Sequence, residues 1–347
     1  MSTLTKLALL VLAASAGALG TATLSHSDLA NAKANDTSQA KDVSPKVDWV
    51  AAAPGRVEPK SGLIRVGSAL LGRIVEVPVK QNDKVEKGEL LIRLDDDEAR
   101  ARLQAAETEV ASRKRERDAQ PLDKGRDEIR NAEDNVFSAE RALTNAHFEL
   151  EYELQARRAG TGNDERVAHA RDDLAKAKDK LQEERSNYAR AQSKPNIPAP
   201  NRLESALQAA RSDVAVAEAL LEKTRILAPV SSTVLQLQAK VGEIVAPSPD
   251  QTLAVLGDVT ALRLKAEVDE IDVSKIKVGG KVVVKSTASP GTEFEGTVAE
   301  VAPSLTSPQF ALRSARRPVD VEVLPVTIDL DGNPPLLPGM RADAFFK

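Results

Sequence analysis

Cysteine is absent from the 347 residues, which excludes disulfides, thiolate nucleophiles and cysteine-ligated metal centres. Aromatic residues make up only 3 % of the chain against 29 % charged, too few large side chains for one big globular core. An elongated protein of two or three domains is therefore expected. Methionine stands only at Met1 and Met340, which removes a Met-rich copper or silver site. The three histidines, His26, His147 and His169, are scattered, and polar coiled-coil positions account for the last two. No basic stripe with interleaved aromatics runs along the chain, so nucleic acid is not expected as a partner. Nor is there a nucleophile beside a base, a phosphate loop or a zinc spacing. No catalytic residue, cofactor site or metal site is assigned, and an enzyme is not expected.

Residues that are present organise into distinct segments. Lys6 precedes an uncharged stretch, "LALLVLAASAGALGTATLS" at 7–25, whose length is marginal for crossing a bilayer at about 1.5 Å per residue. Residues 1–25 read as a signal peptide or a membrane anchor; "ASA" at 14–16 suits signal peptidase, and both readings stay open. Either way the remainder lies outside the cytoplasm. Residues 26–50, rich in Ala, Asn, Asp, Ser and Lys, read as a flexible tether.

An internal repeat governs the rest. "GRIVEVPVKQNDKV" at 72–85 aligns without a gap on "STVLQLQAKVGEIV" at 232–245. Val75, Val77 and Val79 meet Leu235, Leu237 and Ala239, and Asn82-Asp83 meets Gly242-Glu243. Each half has the alternation of a half-buried strand and a turn residue tolerant of positive φ. Between them the period changes to seven. Ile129, Val136, Leu143 and Leu150 alternate with Ala132, Ala139 and Ala146, and the pattern returns as Val167, Leu174, Leu181 and Tyr188 with Ala170, Ala177 and Ala191. These heptads, joined by "RRAGTGND" at 157–164, predict an antiparallel coiled-coil hairpin. Pro121 and "KPNIPAP" at 194–200 should break each arm into two pieces. Arms of about 60 residues would reach roughly 90 Å. "DDDE" at 95–98 suits the start of the ascending helix, where carboxylates complement the helix dipole. Beyond residue 257 short alternating runs, "LRLKAEVD", "KVVVKST", "EFEGTVAEVA", "PVDVEVLPVTIDL" and "MRADAFF", predict a small antiparallel barrel. "DEIDVSKIKVG" at 269–279 is its one helical interruption.

With "GRIVEVPVKQNDKVEKGELLIRLDD" at 72–96, "TRILAPVSSTVLQLQAKVGEIV" at 224–245, "LGDVTALRLKAEVDEIDVSKIKVGGKVVV" at 256–284, "PGTEFEGTVAEVAP" at 290–303 and the closing "LLPGMRADAFF", the chain resembles the HlyD-type membrane fusion proteins, or periplasmic adaptor subunits. It looks closest to the branch serving ABC exporters. The resemblance implies an elongated α+β fold: a split lipoyl-like β module interrupted by a long antiparallel coiled-coil hairpin and followed by a small antiparallel β-barrel. The domains are then 51–95, the first lipoyl-like half and the strand leading to it; 96–224, the hairpin with its tip at 157–164; 225–257, the second half; and 258–347, the barrel with the possible start of a membrane-proximal domain. Genuine lipoyl domains carry a modified lysine at the tip between their halves. Here that tip is where the helices leave and return, and Lys84 and Lys87 lie inside the first half, so carrier chemistry is not expected.

The same resemblance implies an adaptor in the periplasm, held at the inner membrane by its N-terminal segment. It would couple an inner-membrane ABC permease and ATPase to a TolC-like outer-membrane channel and self-associate as a hexameric ring. Alternatives are an adaptor of a proton-driven RND or MFS pump and a periplasmic coiled-coil scaffold without a transport role. The implied channel-facing residues are Leu154, Arg157, Arg158, Gly160, Thr161, Gly162 and Asn163. The tip departs from the Arg, Leu and Ser that such adaptors carry: Leu154 and Thr161 are loose counterparts, and Glu149 or Glu151 falls near the expected Arg. Asn82-Asp83 replaces a usual Gly-Asp, which the turn tolerates because Asn enters the left-handed region readily. Ser232 replaces a usual Gly in the second half.

Overall fold

A computed structural model describes residues 49–121, 125–308, 322–332 and 334–347. The expected anchor at 1–25 and the tether as far as residue 48 lie outside the described residues. Among the described residues no helix is long and apolar enough to cross a membrane. In chain order the elements are strands β1 (Ala51–Pro59), β2 (Ile64–Val66), β3 (Gly72–Glu76), β4 (Lys84–Val85) and β5 (Leu90–Leu94), then helices α1 (Asp97–Asp118), α2 (Asp127–Arg158), α3 (Asp164–Gln192) and α4 (Arg202–Lys223). Strands β6 (Arg225–Leu227), β7 (Ser232–Leu237), β8 (Ile244–Val245), β9 (Ala254–Gly257) and β10 (Leu262–Asp269) follow. After a 3-10 helix at Glu270–Lys275 come β11 (Lys281–Ser286), β12 (Glu293–Val301), β13 (Val323–Leu330) and β14 (Arg341–Phe346).

The repeat seen in the sequence becomes a pseudo-two-fold in which each half supplies the other's neighbour. β3 pairs with β8 through Gly72 and Val245, and β4 pairs with β7 through Val85 and Ser232, the same two repeat positions with their roles exchanged. The turns obey the same rule: Asn82 N donates to Val234 O at 2.7 Å and Gly242 N to Ile74 O at 2.8 Å. Asn82 and Gly242 hold φ of 73° and 90°, the left-handed region that Asn and Gly enter most easily. Two four-stranded sheets, β2-β9-β7-β4 and β6-β5-β3-β8, close over a shared core of Ile74, Leu91, Ile92, Leu94, Val234 and Leu256. Neither half buries its apolar face alone.

The barrel closes in the order β1-β10-β13-β12-β11-β14. β1 therefore belongs to it, although more than 190 residues separate Pro59 from its register partner Leu262. Val57, Leu264, Val268, Val282, Val326 and Ile328 form its core, and alternate positions face outward as the period of two requires. Gly55 admits no side chain, since a Cβ there would lie 2.7 Å from Lys265 O.

The helices form two tight pairs. α2 and α3 run antiparallel along the heptad seam, with Ile129, Ala132, Val167, Ala170, Leu174, Leu181 and Ala191 buried. α1 and α4 pair through Val110, Leu207, Ala210 and Val214. The two pairs are not laid end to end. α2 runs back alongside α1, so that Arg117 meets Asp134 and Arg141 meets Glu107, while α2 and α4 run parallel from Arg130–Glu204 to Arg141–Glu218. The straight arm of roughly 90 Å expected from the sequence is thus doubled over, and α2, its longest helix at 32 residues, spans about 48 Å. At the far end of the helical region lie residues 119–121 and 125–126 on one side and 193–201 on the other, where Pro121, Gly125 (φ 92°) and Asn196 (φ 61°) stand.

Candidate functional site

The sequence-derived tip residues do come together, at the closed end of the α2–α3 hairpin, but that end rests on the lipoyl-like module. Most of them build the turn. Gly160 has φ 78°, and a Cβ on Gly162 would lie 2.8 Å from Arg157 N. Thr161 N and Gly162 N both donate to Ala156 O at 2.9 Å, and the Thr161 hydroxyl donates to the same oxygen at 3.1 Å. Asn163 caps α3, its side-chain oxygen accepting from Arg166 N at 2.9 Å. Leu154 is fully buried.

Arg157 and Arg158 do something different: they reach across to β4 and the turns on either side of it. Arg158 donates through Nε to Glu89 Oε1 at 2.5 Å, through Nη1 to Asp83 Oδ2 at 3.0 Å and through Nη2 to Lys84 O at 2.7 Å. Arg157 pairs with Glu86 at 3.0 Å, and Arg171 of α3 reaches the same carboxylate. The acids are held in place beforehand, because Lys80 N donates to Asp83 at 2.9 Å and Glu86 N to Glu89 at 2.8 Å. Nearby, Gln155 donates to Glu76 at 2.6 Å. Nothing in the sequence indicated that the link at 157–164 would lie on the residues that follow Asn82.

From this contact a ladder of arginine–carboxylate pairs continues between the two helix pairs. Arg225 pairs with Glu151 at 2.8 Å and lies 3.8 Å from the centre of the Phe148 ring. Burial pushes the Glu151 carboxyl up, with Arg225 opposing, and pushes the Arg225 guanidinium down against the pull of Glu151. Arg141 binds Glu107 and Glu218, and burial likewise raises Glu218. Arg117 and Arg211 converge on Asp134. Burial alone would push Asp134 up, yet the two guanidinium groups hold it well below the usual carboxylate range. At the far end Arg126 and Arg130 share the buried Glu204 at 2.7 and 2.9 Å, and Glu204 also closes a capping box with Asn201. In the ladder's middle stands Phe137, packed on the α1–α4 seam under Arg211.

This arrangement binds surfaces together. The two helical histidines have separate surroundings: His169 contacts Asp173 at 2.9 Å, while His147, its pKa lowered by burial, lies near Lys178, Glu222 and Arg225. Among the described residues no group of His, Asp and Glu has a spacing that would hold a metal ion.

A β module split by helices and followed by a closed six-stranded barrel defines an adaptor architecture. The family model for the barrel-sandwich hybrid domain of RND membrane fusion proteins matches residues 63–257, and a YknX-like β-barrel model matches 262–343. The chain belongs to the membrane fusion proteins, the adaptors of efflux and secretion systems. It is 25 % identical over 276 residues to the multidrug export protein EmrA of Escherichia coli K12, covering 77 % of this chain and 68 % of that one. It is 23 % identical over 339 residues to protein CyaD of Bordetella pertussis, covering 86 % and 77 %. Among solved structures it is similar to MacA from Actinobacillus actinomycetemcomitans, at 19 % identity and a TM-score of 0.49, with 85 % of this chain and 78 % of that one covered.

Proposed function

We propose that this chain is a periplasmic adaptor, anchored at the inner membrane by its N-terminal segment, that links an inner-membrane ABC exporter to a TolC-like outer-membrane channel as a hexameric ring. The observation that carries this reading is the order of parts: the two half-modules share one core, the helices leave and return at one edge of it, and the barrel follows, an order that the family models span almost without a gap. Transport energy comes from the partner's ATP, and the adaptor aligns and seals the conduit. Residues 157–164 face the channel when the hairpin is presented to it. Photo-crosslinkers at Thr161 and Glu165 should then capture an outer-membrane channel; crosslinks confined to the inner-membrane transporter would overturn that part.

The match of residues 63–257 to the barrel-sandwich hybrid model of RND membrane fusion proteins favours a second reading in which the partner is an RND or MFS pump. Purification of the full chain from membranes separates the two. An ABC ATPase retained with it supports the first reading, and its absence beside an RND or MFS pump supports the second.

A further inference from the structure

The two helix pairs differ in what holds each together and in what holds one to the other. Within each pair the seam is apolar and small, Leu and Val alternating with Ala. Between the pairs the contacts include the arginine ladder, Phe137 and a Thr144–Glu218 hydrogen bond. The α2–α3 pair joins the rest of the chain covalently only at the far end, through links that carry Pro121 and Gly125 on one side and Pro195, Asn196, Pro198 and Pro200 on the other. Proline and residues at positive φ prevent helix from propagating through both links. A rigid rod, two breaks at the same level and a charged contact at the opposite end are the parts of a hinged arm.

We infer that the α2–α3 hairpin is such an arm, latched on the lipoyl-like module by Arg157, Arg158 and Arg171 against Asp83, Glu86 and Glu89, and that it swings out about the two far-end links as a rigid pair. Opening keeps both heptad seams and exchanges the ladder for hydrated charges. Such an exchange is near balance, because the desolvation of buried ion pairs offsets much of their attraction. The open arm adds the length of α2 to that of α1, carrying residues 157–164 from the module to a distance of about 80 Å. The hinge depends only on contacts within the chain, so it stands or falls apart from the choice of transporter.

The full chain has no native cysteine, so pairs of spin labels can be placed without background. Lys87 and Thr161 are exposed on opposite sides of the latch, and Ser138 and Glu183 are exposed across the α2–α3 seam. In the wild-type sequence pulsed EPR should read a short 87–161 distance, with a minor population beyond about 60 Å. Combining R157E, R158E and R171E should make the long population dominant, and raising salt should shift the wild type the same way, since Arg157 and Glu86 keep 26 % and 35 % of their side-chain surface in solvent. The 138–183 distance should stay short throughout. An 87–161 distance that stays short in both the reversed variant and high salt overturns the inference. So does a 138–183 distance that lengthens in step with 87–161, because the hairpin would then be melting and not swinging.

Discussion

The seam inside each helix pair and the interface between the pairs solve the same packing problem by opposite means. Inside, alanines bring the helices close and leucines fill the gap, so burial stabilises the pair and little can slide. Between, long arginines span a wider separation and each charge must find a partner, as Asp134 does with Arg117 and Arg211. An apolar seam is lost gradually, by volume; a charge layer is lost abruptly, by partner. Placing the first within the pairs and the second between them lets a protein be stiff along its helices and separable across them.

Breaking the apolar side of this comparison should cost most. Leu207, buried to 1 % beneath Phe137, becomes a cavity in L207A, and we expect a loss of about 3–4 kcal/mol in urea denaturation. The charge layer comes next. D134N leaves Arg211 without its carboxylate and Arg117 with Asp118 alone, and we expect about 3 kcal/mol at neutral pH. Because the folded-state pKa of Asp134 is depressed below the 3.8 of an unperturbed aspartate, its contribution is present above that value and lost as the pH falls through the folded one. Melts of D134N and wild type should therefore stay apart at pH 5 and converge only below about 3.8. At the latch, R158A leaves Glu89, whose side chain is 3 % exposed, with the Glu86 N–H but without the Arg158 guanidinium. We expect about 1–2 kcal/mol, with faster proteolysis in residues 159–163 than in the seams. Smallest of all is E98Q, which breaks a pair with Arg102 whose side chains are 61 % and 80 % exposed; its melting temperature should match wild type.

The parts of the fold set by local period were readable from the residues. The gap-free repeat at 72–85 and 232–245 anticipated the two-fold module, alternation found β10 to β14, and the heptads named α3 as the partner of α2. Three features were not readable, each for a physical reason. A heptad states which face is apolar but not which way a rod points after a proline break, so the doubling over of α2 was missed. Pairs such as Arg158–Glu89 or Arg141–Glu218 join residues 69 and 77 positions apart, and charges on a helix surface carry no mark of a distant partner. β1 looked like a lead-in to the first half-module because its neighbours β10 and β14 lie near the other end of the chain.

The edge where the helices leave the β module has a consequence of its own. Leu94 N donates to Thr224 O at 2.8 Å, so the departing and returning strands are already bonded to each other before the first helical turn begins. The β domain closes its own core across that bond and asks of whatever lies between only that it return to where it started. A helical insert on such terms is interchangeable: it can be shortened, lengthened or replaced by another antiparallel pair without redesigning the module beneath it. One β platform can in this way serve conduits of different depth, with length as the only part that changes.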